Sequence, residues 1–237
     1  MPNSPLRLAV AQPPCTAGDV SANVVAHAVL VRAAAARVVV FPEMSLTGYE
    51  LDAPVLDPDD PRLGPLVDAC AITGTTVLAG APVAGPHIGM LVVDGTGVRV
   101  AYRKVHPGGS EAPRFRPGPC PEVIEVGGWR LGLAICRDTG IAAHAASTAA
   151  LGIDVYVAGL VDHHHEDVVQ EERARRVAAD HGVWVAFASF AGSTGGGYAE
   201  TAGRSGIWSP DGTVLDRAGR EPGGIAVATL RGEHESP

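Results

Sequence analysis

A cysteine at the end of an apolar run is the first residue whose position suggests chemistry. The run 129–135 has the composition of a buried β-strand, and Cys136 follows it directly. The next stretch, 139–151, has the spacing of an amphipathic helix. Cys136 is therefore predicted at a strand-to-helix turn, where backbone N–H groups and the helix dipole favour a thiolate and can bind an oxyanion. The alternative is an ordinary buried thiol.

Two charged residues occupy equivalent positions after other apolar runs. Glu43 lies just beyond the run 38–41, and Lys104 lies just beyond the run 98–102. Functional groups in layered α/β proteins gather at strand ends, because strands supply rigidity and loops supply access. The three strand ends together predict a site with a carboxylate, an ammonium and a thiol. Each charged residue taken alone is more typical of a solvated loop.

The elements that would position these residues are short runs rich in Val, Leu, Ile and Ala, which we predict to be strands. The predicted strands are 6–11, 38–41, 75–81, 89–93, 98–102, 129–135, 153–157, 183–190, 205–208 and 225–230. Amphipathic stretches between them predict helices at 19–36, 139–151 and 166–181. Asp94-Gly95 and Asp211-Gly212 are typical hairpin turns, so the sheets should be mixed. This alternation predicts one α/β domain covering 1–237.

Two stretches are predicted to be functional loops. The segment 105–121 is long and irregular for a compact domain, and 192–203 contains three consecutive glycines. The glycine-rich segment lacks the Lys-Ser/Thr ending of a phosphate-binding loop, so nucleotide binding is not predicted.

The composition excludes several classes of protein. The 237 residues include 18 Lys+Arg against 26 Asp+Glu, a net charge of −8, without a basic cluster that would attract nucleic acid or an anionic membrane. With 46% hydrophobic and 19% charged residues, the chain can bury a large core. It has no long apolar run and no signal-peptide pattern, and its four cysteines are scattered. We therefore expect a cytoplasmic protein with free thiols.

A run of three histidines could suggest a metal site. His163, His164 and His165 are consecutive and precede Glu166. Adjacent residues converge poorly on one ion, whereas metal-binding histidines are usually spaced along a strand or helix. No metal is predicted here. His163 is instead a candidate substrate contact, with a surface position before a helix as the alternative.

Several motifs in order resemble one family. They are Phe41-Pro42-Glu43, Leu46-Thr47-Gly48-Tyr49, Tyr102-Arg103-Lys104-Val105-His106, Glu111, Phe115-Arg116-Pro117-Gly118 and Gly132-Leu133-Ala134-Ile135-Cys136-Arg137-Asp138. Together they resemble the carbon-nitrogen hydrolase (nitrilase) superfamily, as an amidase-like member, from about residue 6 to 230. The resemblance implies a four-layer αββα sandwich with mixed sheets and a homodimer. It also implies hydrolysis of a small-molecule amide without a cofactor.

The resemblance further implies the role of each site residue. Cys136 would attack the amide carbonyl, and Glu43 would take the thiol proton and pass it to the leaving ammonia or amine. Lys104 would stabilise the oxyanion, and water activated by Glu43 would release the acid from a thioester. Glu111 resembles an additional glutamate that orients Lys104 or the substrate. The alternative for Glu111 is a solvated loop carboxylate.

Arg137 departs from the family pattern, since many relatives have an aromatic residue there. Its guanidinium could bind a substrate carboxylate, but pairing with a structural Asp or Glu is the favoured interpretation. Asp138 fits the pattern and is expected to fix the turn. Tyr49 is a candidate substrate contact, with a core aromatic as the alternative.

Other activities remain open at this stage. Within the same chemistry the alternatives are nitrile hydrolysis and N-carbamoyl-amine hydrolysis. From other classes, the chain could be a non-catalytic scaffold that keeps the fold. It could also be a thiol redox sensor in which peroxide oxidises Cys136 without amide turnover; no resolving cysteine lies nearby in sequence, although Cys120 could be close in space.

Overall fold

The computed structural model describes residues 4–232, which form fourteen strands and four α-helices. The strands are β1 (Leu6–Ala11), β2 (Val38–Val40), β3 (Thr76–Val83), β4 (His87–Asp94), β5 (Gly97–Arg103), β6 (Val123–Val126), β7 (Trp129–Ile135), β8 (Val155–Leu160), β9 (Trp184–Ser189), β10 (Ala191–Gly192), β11 (Thr201–Ala202), β12 (Gly206–Trp208), β13 (Val214–Arg217) and β14 (Ile225–Leu230). The helices are α1 (Val20–Ala34), α2 (Gly64–Thr73), α3 (Ala142–Ala149) and α4 (Asp167–His181).

Two six-stranded sheets contain most of the strands. The first has the order β14-β1-β2-β3-β4-β5, and the second has the order β13-β12-β9-β8-β7-β6. In each sheet three central strands are parallel, namely β1 to β3 and β7 to β9, and the flanking strands are antiparallel. The predicted mixed sheets are confirmed, and both predicted hairpins join antiparallel neighbours, β4 to β5 and β12 to β13.

Alternating side chains hold these sheets and helices together in layers. In β1, Leu8 and Val10 face the other sheet, whereas Ala9 packs in the cluster formed with α1 and α2. In β8, Val157 faces the first sheet, and Tyr156 belongs to the cluster with α3 and α4. A strand buried on both faces shows the continuous apolar runs seen in this sequence. The layer order is helix, sheet, sheet, helix, which confirms the predicted αββα sandwich.

Some predicted boundaries were wrong. The helix predicted to begin at residue 139 begins at Ala142, because 136–140 forms a 3₁₀ turn first. Helix α2 was missed, since its buried positions Leu66, Ala69 and Cys70 span a single turn. Within residues 4–232, no helix is long and apolar enough to span a membrane.

A buried histidine supports the turn that follows β2. His27 on α1 is fully buried, with Nδ1 2.6 Å from the Asn23 carbonyl oxygen and Nε2 2.8 Å from Ser45 Oγ. Nδ1 must donate to the carbonyl, so Nε2 is left to accept from the hydroxyl in the neutral ring. Burial lowers the pKa of His27 from 6.5 to about 4. His27 is therefore neutral in the folded protein near pH 7.

Acid should weaken the fold through this side chain. Below pH 6.5 His27 is protonated in the unfolded chain, whereas in the folded protein it stays neutral until about pH 4. The free energy of unfolding therefore falls as the pH drops from 6.5 to about 4. We expect a loss of about 3 kcal/mol from this group. His27→Gln should show less of this acid-dependent loss when urea unfolding is compared between pH 7 and pH 4. The exposed His164→Gln should behave as wild type, and parallel curves for wild type and His27→Gln would contradict the prediction.

Candidate active site

Three strand ends bring the predicted charged and thiol side chains to one place. Glu43 follows β2 and Lys104 follows β5 in the first sheet, and Cys136 follows β7 in the second. Lys104 Nζ donates to Glu43 Oε1 at 2.7 Å, and both side chains are almost fully buried. The Glu43 backbone rests on β8 at Gly159, where a Cβ would lie only 2.8 Å from Glu43 N. A glycine there allows the two sheets to approach at the site.

Lys104 is held between two carboxylates. Besides its bond to Glu43, Nζ donates to both Glu111 oxygens at 2.8 Å. Glu111 also accepts from Tyr49 Oη at 2.8 Å and from Gly108 N at 3.1 Å. Only 4% of Glu111 is exposed, so the alternative of a solvated loop carboxylate is wrong. The 3₁₀ turn Gly109–Glu111 in the long loop brings this carboxylate back to the strand ends.

Cys136 occupies a strained turn. Its φ of 42° lies in the left-handed region, which costs a non-glycine residue about 1–2 kcal/mol. The thiol Sγ–H points to the carbonyl oxygen of Val161 at 3.4 Å, just beyond the end of β8. Strain of this kind is typical of functional sites that need a fixed side-chain direction.

Asp138 ties the cysteine turn to the lysine loop. Its buried carboxylate accepts from Ile135 N at 3.1 Å, from Tyr102 Oη at 2.7 Å and from His106 N at 2.9 Å. Ile135 precedes Cys136, and Tyr102 and His106 flank Lys104. Asp138 thus fixes the turn at Cys136 relative to the segment around Lys104, in agreement with the role expected from the sequence.

Asp138→Asn should destabilise the protein. An amide must present its NH2 to one of these donors, which leaves a buried N–H or O–H without an acceptor and costs about 1–3 kcal/mol for each unpaired group. Urea unfolding at pH 7 should show this loss. Asp154→Asn is the matched control, since Asp154 accepts one backbone N–H, from Arg130, at a partly exposed position. An equal effect of the two variants would contradict the prediction.

Burial and charge shift the pKa values of the central groups. Burial raises the pKa of Glu43 to about 8, although Lys104 opposes this change. Burial by itself would lower the pKa of Lys104, but the surrounding acidic groups raise it above its ordinary value, so the ammonium is charged. Burial and the carboxylates of Glu43 and Asp162 raise the pKa of Cys136 well above its usual range.

The expected thiolate at rest is therefore wrong. The sequence predicted that a helix N-terminus would favour ionisation of Cys136, but α3 begins only at Ala142 and the thiol lies among buried carboxylates. Cys136 rests as a thiol and needs a base to become nucleophilic. Glu43 Oε2 is buried and has no hydrogen-bond partner among residues 4–232, so it is free to accept that proton.

Comparison with known proteins identifies the family. A model of the carbon-nitrogen hydrolases matches residues 7–234. The chain belongs to the carbon-nitrogen hydrolase family. This match confirms the resemblance carried by the motifs around Glu43, Lys104 and Cys136.

Individual relatives agree with this assignment. A curated protein of Pseudomonas protegens described as "Hydrolase in pqqF 5'region" is 28% identical over 238 residues, 95% of this chain and 82% of its own length. A cysteine-to-alanine mutant of the amidase from Nesterenkonia sp. AN1, in complex with butyramide, matches with a TM-score of 0.85 and 24% identity over 95% of this chain and 90% of that chain. A glutamate-to-glutamine mutant of that amidase, with acrylamide added at the active-site cysteine, has a TM-score of 0.85 at 23% identity over 95% and 93%. These structures share the fold.

A cavity of about 270 Å³ opens beside Lys104 and Cys136 of this carbon-nitrogen hydrolase. Six of the seven predicted site residues line it, namely Tyr49, Lys104, Glu111, Cys136, Arg137 and His163. The seventh, Glu43, lies behind Lys104 and contacts it. The predicted site residues are therefore brought together. Among residues 4–232, no group of three or more His, Cys, Asp or Glu side chains could hold a metal ion.

Three cavity residues were missed by sequence reasoning. Asp162 is buried, its Oδ2 has no hydrogen-bond partner among the described residues, and burial raises its pKa to about 6. Arg173 Nη1 lies 3.8 Å from Asp162 Oδ1. Tyr198 stacks on His163 with 4.4 Å between ring centroids. Tyr198 lies in the predicted functional loop 192–203, and Asp162 lies in the segment 159–168 that was expected to shape the pocket, but neither side chain was singled out; Arg173 lies outside both segments.

The four cysteines are all free in the structure. Cys120 is exposed, lies outside the cavity lining and has the Glu122 carboxylate as its contact. It is therefore a useful surface thiol for comparison with Cys136.

Proposed function

We propose that this protein hydrolyses the carbon-nitrogen bond of a small amide through a thioester on Cys136. One observation carries the proposal. Lys104 donates simultaneously to Glu43 and Glu111 at the floor of a cavity that also contains the Cys136 thiol. A buried base, a fixed cation and a thiol at one cavity are the three groups that acyl transfer needs.

The first half-reaction begins with a proton transfer. Glu43 accepts the Cys136 proton at Oε2, its unpartnered oxygen, and the sulfur attacks the amide carbon. Negative charge develops on the carbonyl oxygen, and the Lys104 ammonium stabilises it without reorganisation because two carboxylates already fix its position. The tetrahedral intermediate then collapses to a thioester, and the proton on Glu43 passes to the departing ammonia.

The second half-reaction releases the acid. Glu43, ionised again, takes a proton from water that attacks the thioester carbon. A second tetrahedral intermediate forms beside Lys104, the carbon-sulfur bond breaks, and the proton returns to the sulfur. The products are a carboxylic acid and the resting thiol.

Glu111 and Tyr49 act as positioning residues in this scheme. Glu111 accepts from the Lys104 ammonium with both carboxylate oxygens, and the Tyr49 hydroxyl donates to the Glu111 carboxylate at 2.8 Å. This arrangement fixes the position of the Lys104 ammonium and leaves Oε2 of Glu43 available to accept a proton.

The comparisons support amide hydrolysis in particular. The carbon-nitrogen hydrolase family and an amidase of the same fold, bound to butyramide in one mutant, are consistent with an amide substrate. The homodimer, the cytoplasmic location and the single domain stay predictions from the sequence.

Ammonia release from a panel of small molecules tests the proposal. The panel contains aliphatic amides, amides of dicarboxylic acids, nitriles and carbamoyl amines, with the acid product measured in parallel. We expect ammonia and acid in equal amounts from at least one amide. Ammonia from nitriles alone, or no turnover of any amide, would contradict the proposed reaction.

A further inference from the structure

Arg137 differs from the other cations that line the cavity. Lys104 lies between two carboxylates, and Arg173 lies 3.8 Å from Asp162. Arg137 lines the same cavity, yet within residues 4–232 it forms no ion pair and donates no hydrogen bond from its side chain. The favoured expectation of a structural acidic partner for Arg137 is therefore wrong.

The local backbone makes room for this side chain. Arg137 passes over Gly108, where a Cβ would lie 2.8 Å from Arg137 Cδ and 2.9 Å from Cζ. Any residue other than glycine at position 108 would displace the guanidinium from the cavity wall. Arg137 is exposed, and within residues 4–232 its charge has no counter-charge. The guanidinium is therefore accessible to an anionic group of a molecule bound in the cavity.

The charge and position of Arg137 define that anion. Arg137 directly follows Cys136, so an anion bound there would lie close to the reacting carbon. One guanidinium without a partner matches a single negative charge, and its planar fork matches the two oxygens of a carboxylate. Glu166, another acidic side chain of the lining, accepts the backbone N–H of His163 at 2.8 Å and forms no ion pair with Arg137.

We infer that the substrate is the monoamide of a dicarboxylic acid, whose free carboxylate binds Arg137 while its amide carbon faces Cys136. The inference rests on the proposed amide hydrolysis and adds the substrate class. The product is then a dicarboxylate.

Pairs of nearly isosteric substrates test the inference. The acid monoamides malonamate, succinamate and glutaramate are each compared with the neutral diamide of the same chain length by ammonia release. We expect kcat/KM for the best monoamide to exceed that of its diamide by roughly 2- to 5-fold, the value of an exposed ion pair. The preference should weaken as salt is added, because ions screen an exposed charge.

Arg137→Gln should abolish the preference for the monoamide over the diamide. The ratio of monoamide to diamide kcat/KM should approach one, and Arg137→Lys should restore only part of it because ammonium lacks the bidentate fork. Arg99→Gln, which removes an exposed arginine of β5 outside the cavity, should leave the ratio unchanged. Equal hydrolysis of monoamide and diamide at every length, or equal losses for both in Arg137→Gln, would overturn the inference.

Binding separates this inference from the proposed reaction. Calorimetry with Cys136→Ala should detect the monoamide more strongly than the diamide, and adding Arg137→Gln should remove the difference. If the monoamide binds selectively but the wild type does not hydrolyse it, the carboxylate site at Arg137 is supported and the proposed hydrolysis is contradicted. If amides are hydrolysed without any preference for the monoamide in rate or binding, the proposed hydrolysis is supported and the carboxylate site at Arg137 is contradicted.

Discussion

Cys136→Ala should lower amide turnover by about 10⁴-fold or more, to the level of the blank. The sulfur supplies the bond that holds the acyl group, and no other cysteine lines the cavity within residues 4–232. Cys136→Ser should be nearly as inactive, since a hydroxyl is far harder to deprotonate than a thiol and the base has a pKa of only about 8. The measurement is ammonia release under saturating amide, with thermal unfolding to show that both variants fold.

Cys120→Ala is the matched control for the loss of a thiol. Cys120 is exposed and outside the cavity, so this variant should keep wild-type turnover. Acid-quenched mass spectrometry adds a direct readout: the wild type and Cys120→Ala should gain the acyl mass during turnover, and Cys136→Ala should not. Turnover that survives in Cys136→Ala would reject the thioester mechanism.

Glu43→Gln should lower kcat/KM by about 10²- to 10⁴-fold and change its dependence on pH. Glu43 must be ionised to accept the thiol proton, and burial raises its pKa to about 8. The ionised fraction therefore grows as the pH rises, and wild-type kcat/KM should increase up to about pH 8. Glutamine has no basic carboxylate, so this rise should vanish in the variant.

The test is a pH profile of kcat/KM between pH 5 and pH 9 with a neutral amide, which itself does not titrate. Glu125→Gln, an exposed substitution on β6, should reproduce the wild-type profile. The same rise in Glu43→Gln would assign the titration to another group, with Asp162, a buried carboxyl of the cavity whose pKa burial raises to about 6, as the candidate.

These expectations combine two kinds of information. The sequence predicted Glu43, Lys104 and Cys136 because each follows a buried apolar strand, and such strands are recognisable from local composition. The layer order followed from the resemblance, and the alternation of side chains in β1 and β8 explains it physically. Short elements such as α2 escaped prediction because a single amphipathic turn gives too weak a local signal.

The protonation states were decided by the tertiary structure. Local sequence favoured a thiolate at Cys136, but in the fold burial and the carboxylates of Glu43 and Asp162, from two other strand ends, raise the pKa of the thiol. Coulomb interactions depend on distance in space and on burial, and neither can be read from separation along the chain.

Sequence by itself determined which side chains stand at the strand ends and what chemistry their types allow. Only the tertiary structure decided their partners. Glu111 is 7 residues from Lys104, and Tyr49 is 62 residues from Glu111, yet all three form one buried hydrogen-bonded group. From the sequence, a structural carboxylate was the favoured partner of Arg137, whereas in the structure Arg137 lines the cavity and forms no ion pair within residues 4–232. Pairing is a property of three-dimensional packing, because a buried charge takes whichever partner the neighbouring elements bring within reach.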